Sequence, residues 1–221
     1  MNRSPWNLQQ ATAQLTLGKF SATLDVARPQ QGLYAIQFAG HALANWSCWN
    51  VEQTSLGAPF DVYVRDHDLV ATYERTAERP LRVQIYWRAL PVMASPVATG
   101  LELIVSVQTD LLDLDPRVQL SCCLTNGAAH SADDIVLFRG RDSATTFVQL
   151  VHPGDRSQVR LVPNPAQHGT HIHTTLFADR LEKGVILRSR LRGYFIERTN
   201  DEATAVELAH IFAASEPPLT A

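Results

Sequence analysis

Phe60-Asp61-Val62-Tyr63-Val64-Arg65 and Leu69-Val70-Ala71-Thr72-Tyr73-Glu74 are two short runs rich in β-branched and aromatic residues, parted by Asp66-His67-Asp68. Such residues favour strands, and the polar residues between them supply hairpin chemistry. A third strand follows at once. From Leu81 to Arg88 the apolar Leu81, Val83, Ile85 and Trp87 alternate with Arg82, Gln84, Tyr86 and Arg88. A period of two sends alternate side chains to opposite faces and buries one of them, which a helix would not do. Leu101 to Thr109 repeats the pattern, with Leu101, Leu103, Val105 and Val107 opposite Glu102, Ser106 and Gln108, and Ile104 as the interruption. Four strands close together in sequence point to an all-β chain.

The chain has 221 residues, 45% hydrophobic and 19% charged, which is enough for a sizeable core and leaves little room for extended disorder. All-β domains often run past 200 residues without splitting, so a single domain over 1–221 is expected. A formal net charge of −3 gives no broad cationic field, so neither nucleic acid nor an anionic membrane surface is an expected partner. Met1 to Asn7 leads into polar residues rather than an apolar signal core, and no stretch approaches transmembrane length. The cysteines are Cys48, Cys122 and Cys123. Adjacent residues on a strand point to opposite faces, which does not suit a disulfide between the last two. Free thiols in a reducing compartment, hence a cytoplasmic location, are the expectation.

Along the chain, Leu15 to Leu24 reads as an opening hairpin, and Pro29-Gln30-Gln31-Gly32 turns into a strand from Leu33 to Phe38. His41 to Asn50 reads as irregular, with Trp46 and Trp49 forming either a lid over the core or a stacking platform for a ligand. Val118 to Leu124 is a strand with Val118, Leu120, Cys122 and Leu124 on one face, and Asn126-Gly127 is a strong turn signal. Ile135 to Arg139, a nearly continuous apolar run, is expected to be buried on both sides; Thr145 to Val151 and Gln158 to Val162 follow as strands. Pro163-Asn164-Pro165 is expected to preclude regular structure. In Thr170 to Phe177 the residues Ile172, Thr174 and Leu176 alternate with His171, His173, Thr175 and Phe177. Val185 to Leu191 and Tyr194 to Arg198 read as a strand pair joined through Arg192-Gly193. One helix is expected at about 200–214, with Thr199 and Glu202 spaced as a capping box and Ala205, Leu208, Ile211 and Phe212 on one face.

Ten or more strands with turn signals between them and one C-terminal helix imply a large two-layer antiparallel β-sandwich. The many strands, with polar-and-aromatic faces such as Arg82-Gln84-Tyr86-Arg88, resemble the galactose mutarotase-like β-supersandwich over about Leu15 to Arg198. That resemblance implies a sugar ligand held on a concave sheet face. In the epimerases of that group it implies a histidine and a carboxylate across the sugar ring.

Three sets of residues are candidates for chemistry. Arg82, Tyr86 and Arg88, with Trp49 as a further ligand contact, combine donors with aromatic planes and suit a sugar's hydroxyls and its C–H face. An exposed, salt-bridged strand surface would look the same in sequence. His171 and His173 share a face and could act as general acid or base with Glu197 or Glu74. With His168 or His152 they could also offer metal ligands, but no acidic or cysteine partner lies at a characteristic spacing, so no metal and no cofactor are expected. Arg180, Arg188, Arg190, Arg192 and Arg198 suit a phosphate or sugar phosphate, or else pair with Asp179, Glu182, Glu197 and Asp201. No glycine-rich phosphate loop, Gly-x-Ser-x-Gly elbow or Cys-x-x-Cys pair occurs. The functions that follow are a non-catalytic carbohydrate-binding or accessory domain, an aldose epimerase-like enzyme, or a homo-oligomeric interaction protein.

Overall fold

The structure is a computed structural model that describes residues 4–52, 56–90, 99–132, 134–141, 143–155 and 157–216. In chain order the strands are β1 (Trp6–Gln9), β2 (Thr12–Leu17), β3 (Phe20–Asp25), β4 (Leu33–Phe38), β5 (His41–Ala42), β6 (Ser47–Val51), β7 (Asp61–Arg65), β8 (Asp68–Tyr73) and β9 (Arg82–Ala89). They continue as β10 (Thr99–Gln108), β11 (Val118–Leu124), β12 (Gly127–Ala132), β13 (Ile135–Gly140), β14 (Thr145–Val151), β15 (Gln158–Asn164), β16 (Gly169–Leu176) and β17 (Ile186–Glu197), before the helix α1 (Asp201–Ala213).

The strands form two antiparallel sheets. One has nine strands in the order β1-β2-β3-β4-β6-β11-β16-β15, with β5 paired to β4; the other has eight, ordered β12-β13-β14-β17-β10-β9-β8-β7. The inward faces of both sheets share one apolar core, in which Leu24, Ile36, Leu120 and Ile172 of the first layer meet Leu69, Val83, Ile85, Val105 and Leu191 of the second. The fold class is therefore an all-β sandwich with a single helix near the C-terminus. The founding stretch folds as its pattern dictates: Leu81, Val83, Ile85 and Trp87 are all buried, and β7 and β8 turn on Asp66-His67, with Asp66 at φ 51°.

Five local expectations are overturned, each for a physical reason. His41 to Asn50 is not irregular throughout, because it contains β5 and β6. The register of β6 against β11 shifts between Ser121 and Cys123, and Trp49 sits at φ 57°, so Cys48 and Trp49 both turn inward. Arg192-Gly193 is not a turn, since β17 runs unbroken through it. Gly193 is instead a point of close approach: a Cβ there would lie 2.7 Å from Trp49 and 3.1 Å from Phe147. Pro163 lies inside β15, which tolerates it as the edge strand of its sheet. Ile135 to Arg139 alternates between buried and half-buried positions rather than being closed on both faces.

The fifth concerns the cap of α1. Asn200 precedes the helix in a left-handed conformation with no side-chain cap, and Ile211 is 41% exposed instead of sharing the buried face of Ala205, Leu208 and Phe212. Asp201 does the anchoring. Arg139 donates to both its carboxylate oxygens at 2.7 Å, and the Thr146 hydroxyl donates to Oδ2 at 2.6 Å. These hydrogen bonds, Arg139 foremost and against the opposing effect of burial, hold the Asp201 carboxyl below the usual carboxylate range. A depressed folded pKa contributes stability that is complete above the unfolded value of about 3.9 and is lost as pH falls through the folded one. Melting curves from pH 7 to pH 3 should show the wild type losing more stability than Asp201→Asn, the two converging at the acid end; parallel curves would exclude this anchor.

Candidate functional site

The outer face of the eight-stranded sheet carries the residues singled out first. Arg88 donates to both oxygens of Asp68 at 2.8 Å, and this ion pair raises the guanidinium above its ordinary range. Tyr86 donates its hydroxyl to Gln84 at 2.8 Å and packs with Val70, Ile104 and Tyr63; burial pushes its phenol up. Ile104, which interrupts the alternation of β10, is thus an apolar member of this outer patch. Arg82 pairs with Glu74 at 2.9 Å. These donors already have partners, so a ligand would have to displace them.

Trp49 is elsewhere. It lies between the sheets, 2% exposed, with its indole N–H donated to Gln149 at 3.2 Å. Trp46 is also buried and donates to the Thr125 carbonyl at 3.1 Å. Cys48 and Cys122 are buried free thiols, and burial raises Cys48 well above the ordinary thiol range.

The arginines divide by position. Arg188, Arg190 and Arg192 alternate on β17 and do share one face, but Arg190 and Arg192 are drawn into a buried cluster with Glu102, 3.9 and 3.4 Å away. Both guanidinium groups also stack over Phe212 of α1, at 5.5 and 4.4 Å from the ring centre, and both donate to Ser215 Oγ at 3.4 Å. Arg180 pairs with Asp113, Arg198 donates to the Gly140 carbonyl, and Asp201 is taken by Arg139. The cluster joins helix to sheet.

The histidines lie on the other layer. In β16, Ile172, Thr174 and Leu176 fill the core while His171 and His173 face outward, their rings stacked at 6.0 Å. Glu197 belongs to the opposite sheet, where it lines a cleft of about 760 Å³ with Trp46, Asn126 and Arg198, so it does not meet them. Glu74 is held by Arg82. The carboxylate that does meet a histidine is Glu52, just beyond β6, whose Oε1 lies 3.1 Å from His173 Nδ1, both side chains about a third exposed. His171 Nε2 lies 2.7 Å from Asn164 Nδ2 and 3.7 Å from Cys123 Sγ. His152 packs against Phe212, and among the described residues no group of three or more histidine, cysteine or acidic side chains is arranged to hold a metal.

Register places these groups in rows. Asn50, Ser121, His173 and Arg160 lie side by side across β6, β11, β16 and β15. One step along, Glu52, Gln119, Thr175 and Gln158 form the next row, with the Glu52 N–H donated to the Gln119 carbonyl at 2.9 Å. Glu52, Gln119, Gln158, Arg160, His173 and Thr175 line an open depression of about 440 Å³. Its chemistry is a set of amides, a hydroxyl, an imidazole against a carboxylate, and a guanidinium. Such groups donate and accept at once, as a ligand rich in hydroxyls requires. Sequence reasoning found the histidines but missed Glu52 and the glutamine row. The polar alternation of Gln119, Ser121 and Cys123 against Leu120, Cys122 and Leu124 was the available signal.

No protein-family model and no curated protein matches the chain. Among solved structures it is similar to a mutant of heparan sulfate lyase HepC from Pedobacter heparinus, with TM-score 0.56 and 9% identity over 85% of this chain and 35% of the lyase. A heparinase III gives TM-score 0.50 and 10% identity over 89% of this chain and 36% of that one. A protein described as an aldose 1-epimerase from Klebsiella pneumoniae gives 0.43 and 9% over 95% and 87%, a score on which no assignment is built. The fold is thus a two-layer β-sandwich of the kind that these lyases contain. The chain spans about a third of their length, and at such identities the likeness is one of fold alone. No helix among the described residues is long and apolar enough to cross a membrane.

Proposed function

We propose that this chain is a carbohydrate-binding domain that holds a sugar on the outer face of its nine-stranded sheet. The observation that carries the reading is the depression in which His173, Glu52, Arg160, Gln119, Gln158 and Thr175 converge. The sandwich shared with heparan sulfate lyases supports a sugar-related role and puts acidic glycans among the ligands to try. Among the described residues no Phe, Tyr or Trp lines the depression, so affinity rests on hydrogen bonds rather than ring stacking and is weak for a single hexose. In titration calorimetry against a panel of neutral and acidic mono- and oligosaccharides, His173→Ala and Glu52→Gln should each weaken the best ligand at least tenfold, and Tyr86→Ala should leave it unchanged. Loss with Tyr86→Ala alone would move the site to the other sheet.

A second reading, an aldose epimerase-like enzyme, draws on the same His173–Glu52 contact. Ring opening needs a proton given at one side of the sugar and taken at another. Here the carboxylate touches the imidazole directly at 3.1 Å, an arrangement that orients the histidine rather than flanking a substrate. Binding is therefore the preferred reading. A mutarotation assay separates the two, since catalysis abolished by His173→Ala would establish the enzyme.

A further inference from the structure

The depression around His173 does not end at Thr175. A second one, of about 230 Å³, is lined by Asp115, Arg117, Gln119, Gln158, Thr175, Ala178, Asp179 and Arg180. The two share Gln119, Gln158 and Thr175, which register sets side by side across β11, β15 and β16. That row is the common floor of one trough running along the strand direction. From His173 to Thr175 the strand advances about 7 Å, and the trough continues past Thr175 to Asp179. A single hexose ring would occupy one part of it.

Charge is uneven along the trough. Towards Asp179 the cations are matched: Arg180 pairs with Asp113, and Arg117 with Asp115. At the other part, Arg160 is exposed, lies beside His173 in register and makes no ion pair with any described residue. Glu52, the acidic group in that depression, faces the imidazole. A guanidinium without a carboxylate partner, at the lip of a trough floored by two amides and a hydroxyl, fits an anionic group on a hydroxyl-rich ligand.

Building on the sugar-binding reading, we infer that the ligand is a linear acidic oligosaccharide that spans the Gln119-Thr175-Gln158 row and places a carboxylate or sulfate on Arg160. Each amide donates to one hydroxyl and accepts from another. The successive units bind as linked modules, so length adds affinity without new kinds of contact.

The test is calorimetry on the whole chain with galacturonate, trigalacturonate and the neutral maltotriose. Trigalacturonate should bind at least tenfold more tightly than galacturonate, and Arg160→Ala should remove at least tenfold of that affinity while weakening maltotriose by a smaller factor. Thr175→Trp fills the middle of the row with His173 and Glu52 themselves unaltered, and should bring the trimer down to the monomer's affinity. Equal binding of monomer and trimer, or a trimer indifferent to Arg160→Ala, overturns the inference. If such binding still depends on His173, the sugar-binding reading survives. If none of the three probes binds, the acidic oligosaccharide is excluded, and the wider panel decides the sugar reading by itself.

Discussion

Trp49→Ala should lower the melting temperature by about 6–20 °C, the largest effect expected of any single truncation in this chain. The indole is one of the largest fully buried side chains and spans the interface between the layers, from β6 to Gly193 and Gln149 of the opposite sheet. Removing an aromatic side chain from a core costs about 3–5 kcal/mol, because the cavity relaxes only in part. For a chain of this size each kcal/mol is worth about 2–4 °C. Gln149 adds to the loss, since its Oε1 accepts from the indole and, at 3.5 Å, from the Cys122 thiol, while its Nε2 donates to Thr174. Gly193→Leu approaches the same contact from the other side and should also destabilise, through overpacking against Trp49, by about 1–3 kcal/mol. Thermal denaturation of the two variants is the check, and a Trp49→Ala chain that melts within 2 °C of the wild type, about 1 kcal/mol or less, would exclude the described core.

The second large effect is expected at Glu102, which is 2% exposed beneath Arg190 and Arg192. Glu102→Ala leaves two guanidinium groups close together and largely buried without their counter-charge. Breaking a buried ion pair from one side costs about 3–5 kcal/mol. The damage should extend to α1, because the same arginines stack on Phe212 and Arg190 donates to the Glu216 carbonyl at 3.1 Å. Hydrogen exchange should therefore show loss of protection across Asp201–Ala213 as well as a lower melting temperature. A Glu102→Ala variant that melts lower but keeps a protected helix would dissociate the cluster from the helix and contradict this account.

The layers were legible in the sequence wherever one face was apolar and the other polar. Leu81 to Arg88, Val118 to Leu124 and Thr170 to Leu176 all fold as their alternation demands. Reading failed where tertiary contacts outweigh local pattern. Gly193 looks like punctuation but is small because Trp49 needs the space, a relation between residues 144 positions apart that spacing along the chain cannot reveal. Glu102 looks like a solvent-facing strand residue, yet α1 and its own arginines close over it. The candidate site was half legible. His171 and His173 could be placed on one face from their spacing, but their partner could not, because β6 was hidden by its irregular register and Glu52 follows directly from it. The polar outer face around them is assembled from β6, β11, β15 and β16, and only the fold brings those segments together.

The measurement that bears most directly on the sugar-binding reading is the affinity of the best glycan for the wild type, His173→Ala and Glu52→Gln, each shown to melt like the wild type. Saturable binding that falls at least tenfold in both variants is the predicted result. Binding that both variants retain in full would contradict the placement of the site on the nine-stranded sheet, and no binding by any sugar of the panel would contradict the reading itself.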